Sequence, residues 1–310
     1  MHLTGQFIYP VKSLRGCALA TAEVDALGLV GDRRFLVIDE HGQFLTQRTL
    51  PRMALVATAL SNHTLTLSAA GAGACSIPRH APPDQPPPLI RTVSIWSSTG
   101  LSAEDCGDSA ATWLSDFLGV KCRLVRAGAA FHRPVLKPGK ARPDDVVSFP
   151  DAYPLLVISE ASLADLNDRI VASGEDAVPM ARFRPNLVVA GCTAFAEDSW
   201  GRIRIGDVWL RGGGPCVRCA VPAIDQLTAE RGQEPLRTLA TYRRDAADLT
   251  NVIFGQNLFH ETKSGSLRVG DPVEIARKRP PDESTSSPHE NHPPDSGFGL
   301  RMHRLPSRPR

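Results

Sequence analysis

The stretch richest in reactive groups is Gly212-Gly213-Gly214-Pro215-Cys216-Val217-Arg218-Cys219. Three glycines permit unusual backbone angles and let a ligand approach the main chain closely. Two thiols at this spacing admit several readings. Structural zinc takes four ligands, commonly from two such pairs, and the chain has no second pair. A thioredoxin-like redox pair needs a βαβ context, which the flanking residues do not offer. The plain alternative is that both cysteines pack in a core. Arg218 between them speaks against that, because a guanidinium is seldom buried without an anionic partner. The same cation favours the thiolate of a neighbouring cysteine, the form that ligates metals.

Other basic residues stand beside turns. Tyr9-Pro10-Val11-Lys12-Ser13 follows the first strand, Asp32-Arg33-Arg34 opens another, and Arg182-Phe183-Arg184-Pro185-Asn186 precedes the apolar run Leu187-Val188-Val189. Each alone reads as a solvated surface cation. Together they supply the cations and amide donors that a phosphorylated, hydrogen-bond-rich ligand requires. Phe254-Gly255-Gln256-Asn257 pairs a turn with two amide side chains able to read a heterocycle edge.

The elements that must position these groups are mostly strands. The first sixty residues alternate with period two, as in Phe35-Leu36-Val37-Ile38 before the turn Asp39-Glu40-His41-Gly42. Residues 203–210 read as a hairpin, with Ile203 and Ile205, the turn Gly206-Asp207, then Val208 and Leu210. Leu267, Val269, Gly270-Asp271, Val273 and Ile275 echo it. Helices fit 108–118, where Ala111, Leu114, Phe117 and Leu118 share a face, and 160–171, with Ser159 as N-cap. Residues 71–88, with Gly71-Ala72-Gly73 and a proline-rich run, read as a linker and a domain boundary. Few helices and no βαβ alternation favour an α+β fold built on β-barrels. The expected organisation is a smaller β-rich domain over 1–88, a larger barrel domain over 89–276, and a tail over 277–310. That tail holds seven prolines without apolar periodicity, so disorder is expected of it.

Composition excludes several classes. Lys and Arg number 35 against 33 Asp and Glu, which gives no basic excess for nucleic acid. No apolar run is long enough to span a bilayer, and the N-terminus lacks signal-peptide features. Seven cysteines, an odd number, argue against a disulfide framework. A cytoplasmic protein, acting as a monomer, is expected.

Taken in order, Tyr9-Pro10-Val11-Lys12-Ser13, Gly31-Asp32-Arg33, Asp151-Ala152-Tyr153-Pro154, Ser159-Glu160-Ala161-Ser162-Leu163, Phe183-Arg184-Pro185-Asn186, Cys216-Val217-Arg218-Cys219, Phe254-Gly255-Gln256-Asn257 and Val269-Gly270-Asp271-Pro272-Val273 resemble the MOSC family. The likeness is to members with an N-terminal MOSC-associated β-barrel domain, such as the mitochondrial amidoxime reducing component and its bacterial relatives. It implies a molybdenum cofactor, Mo-molybdopterin, with Cys219 as the metal-ligating and catalytic thiolate and Cys216 not a ligand. It assigns Lys12, Ser13 and Arg33 to the pterin and its phosphate, and Arg184 and Asn186 to further cofactor contacts. Val217 and Arg218 flank the ligand, Ala152 and Tyr153 line it, and Asn257 stands where some relatives carry Tyr. Two pterin sulfurs and one soft thiolate make a coherent set for molybdenum, and the cofactor carries the redox step. The implied activity reduces small N-hydroxylated or N-oxygenated compounds by oxygen-atom transfer to the metal, two electrons and two protons releasing water. No ferredoxin-type cysteine run follows residue 219, so electrons come from a separate reductase or heme protein. A non-catalytic carrier of the cofactor, or a sulfur carrier using Cys219, would need the same residues. The sulfurases in which MOSC domains also occur carry a pyridoxal-phosphate domain that this chain lacks.

Overall fold

The computed structural model describes residues 1–84 and 86–278. Its first half runs β1 (His2–Ile8), β2 (Cys17–Ala18), β3 (Thr21–Asp25), β4 (Gly28–Leu29), β5 (Phe35–Ile38), β6 (Ala57–Leu60), β7 (Thr64–Ala69), β8 (Gly73–Pro78), β9 (Ile90–Ile95), β10 (Ser98–Asp105), α1 (Asp108–Leu118) and β11 (Arg123–Arg126). The second half runs β12 (Leu155–Ser159), α2 (Glu160–Ala172), β13 (Leu187–Ala190), β14 (Trp200–Ile205), β15 (Val208–Val217), α3 (Leu236–Tyr242), β16 (Ile253–His260), β17 (Ser266–Arg268) and β18 (Val273–Lys278). This is the strand-dominated α+β architecture that the patterning requires.

The two helices read from periodicity are present. Leu114 and Phe117 of α1 are buried, and Gly119 closes the helix in the left-handed region. Ser159 caps α2 by accepting from the Ser162 amide. The hairpin at 203–210 is β14 and β15, with Ile205 opposite Val208. Two readings change. Residues 73–78, expected in a linker, form β8 on the edge of β7, because Leu65 and Ile77 bury each other across the ladder. The echo at 267–275 is not a hairpin: β17 pairs with β3, and β18 with β14.

The main sheet has the order β18-β14-β15-β16-β12-β13-β1-β2. Its buried face carries Leu3, Val157, Leu187, Trp200, Ile203 and Leu258, all inaccessible to solvent. At about 1.5–3 kcal/mol per fully buried side chain, this cluster is a major source of stability. Strand β1 belongs to it, with Gln6 opposite Leu187 of β13, although it is the first strand of the chain. A four-stranded sheet, β5-β11-β10-β9, joins Phe35–Ile38 to residues 90–126, so pairing runs across the 88/89 boundary. Likewise β18 reaches Lys278, two residues into the segment expected as a tail. The remainder of that segment lies outside the described residues.

Candidate functional site

The turn after β1 and the turn before β5 meet through Asp32. Its carboxylate accepts from the Tyr9 amide at 2.8 Å and pairs with Arg33 at 2.5 Å. The Arg33 guanidinium lies 4.6 Å from the centre of the Tyr9 ring, and that of Arg184 lies 4.1 Å from it. The Tyr9 hydroxyl donates to the Pro185 carbonyl at 3.0 Å, and burial pushes its pKa up to about 12, so it stays neutral. Ser13, Arg33 and Arg184 are non-glycine residues in the left-handed region, at φ 68°, 48° and 56°. Each such residue costs on the order of 1–3 kcal/mol and persists only where its surroundings enforce it, commonly at functional sites.

Beside this pair of arginines stands Lys12. Its ammonium donates to the Phe149 carbonyl at 3.0 Å and to Asp151. Burial lowers its pKa to about 8, against the opposing pull of Asp151. Asp151 also pairs with Arg48 at 2.6 Å and accepts from the Trp96 indole at 3.1 Å. Burial alone would raise the Asp151 pKa, but Lys12 and Arg48 hold the carboxylate well below its usual range. Arg48 reaches Cys219 as well, and its pKa is raised because Asp151 and Cys219 together outweigh the cost of burial. Arg133 fixes the loop beneath, donating to the carbonyls of Ser148, Pro150 and Asp151 at 3.1, 2.6 and 2.9 Å.

The cysteine segment ends β15. Arg218 donates to Cys216 Sγ at 3.1 Å and to the Phe183 carbonyl at 2.7 Å. The cation that faces Cys219 is therefore Arg48, and Arg218 serves the other sulfur. Cys216 packs against the cluster beneath α2 and α3, and neither thiol is in a disulfide. Val217 is exposed. Gly213 earns its place by close approach: a Cβ there would lie 2.6 Å from the Tyr153 ring. That ring meets Phe259 edge-on at 5.1 Å.

The expected residues do not all offer free groups. Lys12, Arg33 and Arg184 gather around Tyr9 and Asp151, Ser13 and Ala152 stand next to Lys12 and Asp151 in the chain, and Arg218 acts electrostatically on Tyr9 from the Cys216 side. Asn186 spends its amide on the protein, accepting from Leu156 N and Arg33 and donating to Phe7 O. Asn257 donates to Pro215 O at 3.2 Å and Gln256 to Trp200 O at 3.2 Å, so both donors are committed to the backbone. Arg34 pairs with Asp25 and Arg182 with Asp225, away from the cluster. Arg48, Trp96 and Arg133 are the functional candidates that sequence reasoning missed. Nothing local marks them, since each is an ordinary residue in a loop or turn. Tyr9, Asp32 and Asp151 lie inside the family-like segments, and no role is expected of them from sequence.

The arrangement gathers five cations beside a half-buried thiol. Among the described residues, Lys12, Arg33, Arg48, Arg184 and Arg218 face only Asp32 and Asp151 as carboxylates. Among the described residues no carboxylate is bonded to Arg184, and neither its buried NH2 nor Nε of Arg218 has a hydrogen-bond partner. Burial brings the Arg184 pKa down to about 10, a measure of how poorly this cation is compensated by the protein itself. Among the described residues no group of three or more His, Cys, Asp or Glu is placed to hold a metal ion. A metal at Cys219 would therefore bring its other donors with it, and the four-ligand zinc reading has no ligand set.

Fold and site together define a class: a strand-rich α+β protein that collects excess cations around one half-buried thiol. A family profile described as the MOSC N-terminal beta barrel domain matches residues 2–121, and one described as the MOSC domain matches residues 144–274. The chain is 39% identical over 285 residues to mitochondrial amidoxime-reducing component 1 of Mus musculus, covering 86% of this chain and 80% of that protein. It is 37% identical to mitochondrial amidoxime-reducing component 1 of Homo sapiens, with the same coverage. Against mitochondrial amidoxime reducing component 2 of Rattus norvegicus it is 36% identical, over 86% of this chain and 81% of that one. The chain belongs to the MOSC family, among the members with an N-terminal β-barrel domain.

Proposed function

We propose that this chain reduces N-hydroxylated compounds such as hydroxylamines, amidoximes and N-hydroxylated bases, using a molybdenum–pterin cofactor held by Cys219. The observation that carries the reading is Arg184: a buried guanidinium without a carboxylate partner, one of whose nitrogens has no acceptor. A phosphorylated ligand would supply the missing anion. The names of the relatives, which describe amidoxime-reducing components, point the same way.

When bound, the cofactor supplies two-electron chemistry at its metal. The chain's own residues bind and orient. Lys12, Ser13, Arg33 and Arg184 hold the phosphate end, with Asn186 fixing the Arg33 side chain. Arg48 orients the Cys219 thiolate while Asp151 keeps Arg48 in place. Ala152 and Tyr153 line the cofactor, Val217 and Arg218 flank Cys219, and Asn257 secures the glycine-rich turn of β15 through Pro215. Electrons come from a separate reductase or heme protein, and the chain works as a monomer in the cytoplasm. Among the described residues no helix is long and apolar enough to cross a membrane.

The test is metal and pterin analysis of the purified protein, coupled to hydroxylamine reduction by reduced viologen dyes. About one molybdenum per chain with turnover is expected. Molybdenum without turnover would mark a carrier, and a folded chain that takes up none would overturn the reading.

A further inference from the structure

Two buried glutamines face each other between the turn that carries Arg48 and the segment that leaves Cys219. Gln47 is inaccessible to solvent, and Gln226 is 7% exposed. Gln47 Nε2 donates to Gln226 Oε1 at 3.1 Å, and Gln226 Nε2 donates back to Gln47 Oε1 at 3.0 Å. The second hydrogen of each amide goes to the main chain. Gln47 reaches the Ser13 carbonyl at 2.7 Å, and Gln226 the Ile224 carbonyl at 3.0 Å. Every amide hydrogen is used, so the pair assembles in one orientation: turning either amide over would set its oxygen against a carbonyl oxygen.

The main chain around the pair is pinned as well. The Arg48 amide donates to Thr46 Oγ1 at 3.2 Å, and its carbonyl accepts from Arg231. Arg15 donates to the Gln226 carbonyl at 3.1 Å, and Ile224 and Arg231 form a bridge. Three segments meet here: the turn of Ser13, held at φ 68°, the turn of Arg48, and the chain beyond Cys219. The first two fall in the N-terminal profile and the third in the MOSC profile. Two leucines would fill the same space, but only fully met amides specify which atoms lie opposite one another. We propose that Gln47 and Gln226 are positioning residues: their reciprocal amide pair sets Ser13 and Arg48, from the N-terminal domain, in register with Cys219, from the MOSC domain. Both side chains are spent on the protein, so they act through their neighbours. The chief of these is Arg48, which stands next to Gln47 and reaches Cys219. The kinetic part of the inference rests on the function proposed above.

The test is Gln47→Met and Gln226→Met, each close in volume and without an amide, alone and combined with Arg48→Ala. In the holoenzyme, kcat per bound molybdenum for hydroxylamine should fall about tenfold in either single variant, with KM within about twofold. Combined with Arg48→Ala, the same substitutions should cost less than about twofold more, because the group they position is gone. Asn167→Leu removes a comparable two-sided amide, between α2 and Val178, and should lower the melting temperature while leaving kcat unchanged. Heteronuclear NMR gives a readout free of turnover. The Arg48 Nε–H signal, assigned by its loss in Arg48→Ala, should shift or broaden in both glutamine variants and stay in place in Asn167→Leu. An unmoved Arg48 signal, or a full further tenfold loss on top of Arg48→Ala, would overturn the positioning role. If Gln47→Met does not fold, Gln226→Met carries the same comparisons from the other side of the pair. A parent without molybdenum or turnover would overturn the proposed function, while the Arg48 signal still decides whether the glutamines place that residue.

Discussion

Arg184 separates two kinds of importance that usually travel together. It is 9% exposed, bonded to no carboxylate, and its pKa is pulled from 12.5 to about 10, chiefly by burial. That gap corresponds to about 3 kcal/mol against the charged form in the ligand-free protein. Packing on the Tyr9 ring returns about 0.5–2 kcal/mol of it. Arg184→Met keeps the chain length and apolar volume and removes the charge. In cofactor-free protein it is therefore expected to raise stability by about 1–2 kcal/mol, as replacement of poorly compensated buried charge often does. At about 2–4 °C per kcal/mol for a chain of this size, the melting temperature rises by a few degrees. Ligand retention moves the other way. Losing one charged hydrogen bond, about 1.5–3 kcal/mol, weakens cofactor binding roughly ten- to a hundredfold. The assay is calorimetry on the cofactor-free variant, with molybdenum content and rate per bound metal on the loaded one. Destabilisation by more than about 2 kcal/mol with normal molybdenum content would refute the reasoning and make Arg184 a structural residue.

Cys219→Ser should abolish both molybdenum retention and turnover, while Cys216→Ser, whose sulfur meets Arg218, the Val217 carbonyl and the apolar cluster beneath α2 and α3, should largely spare them; equal loss in both, by metal analysis, would point to a paired role. Lys12 carries a pH signature: its folded pKa of about 8 lies below the ordinary 10.5, so the folded state sheds the proton first. Stability from this group therefore rises between about pH 8 and 10.5, by about 3 kcal/mol in all, and the urea midpoint of the parent should climb relative to Lys12→Met across that window. Gly212→Ala places a Cβ 2.2 Å from the Trp200 carbonyl, a backbone atom that cannot swing away, and should cost more than about 3 kcal/mol in chemical denaturation. Truncation after Ile275 removes the ladder positions opposite Trp200 and Arg202 and should lower the melting temperature by several degrees.

Elements with a strong local signal were legible. Helix α1 and the cap of α2 follow from apolar spacing and one serine, and the β14–β15 turn from Gly206-Asp207. Helix α3 was not, because Leu236–Tyr242 is too short for its periodicity to stand out. Strand β8 was hidden by flanking glycines and prolines; its pairing with β7 overrides its weak propensity. In the cation cluster, Lys12, Arg33 and Arg184 stand inside compact motifs that the sequence displays and Arg48 does not. Its role exists only because the fold brings a turn at residue 48 against Asp151 and Cys219, contacts that no spacing rule encodes.

Strand β1 has a consequence for synthesis. It pairs with β2 at one edge and with Leu187–Ala190 of β13 at the other, and Leu3 also donates to the carbonyl of Asp271. On a ribosome adding about 5–20 residues per second, β1 therefore waits on the order of 10–50 s before Asp271 emerges. Until residue 219 is made, Lys12, Arg33 and Arg48 exist without the full set of Arg184, Arg218 and Cys219. A nascent chain shorter than that presents scattered cations without the thiol of Cys219.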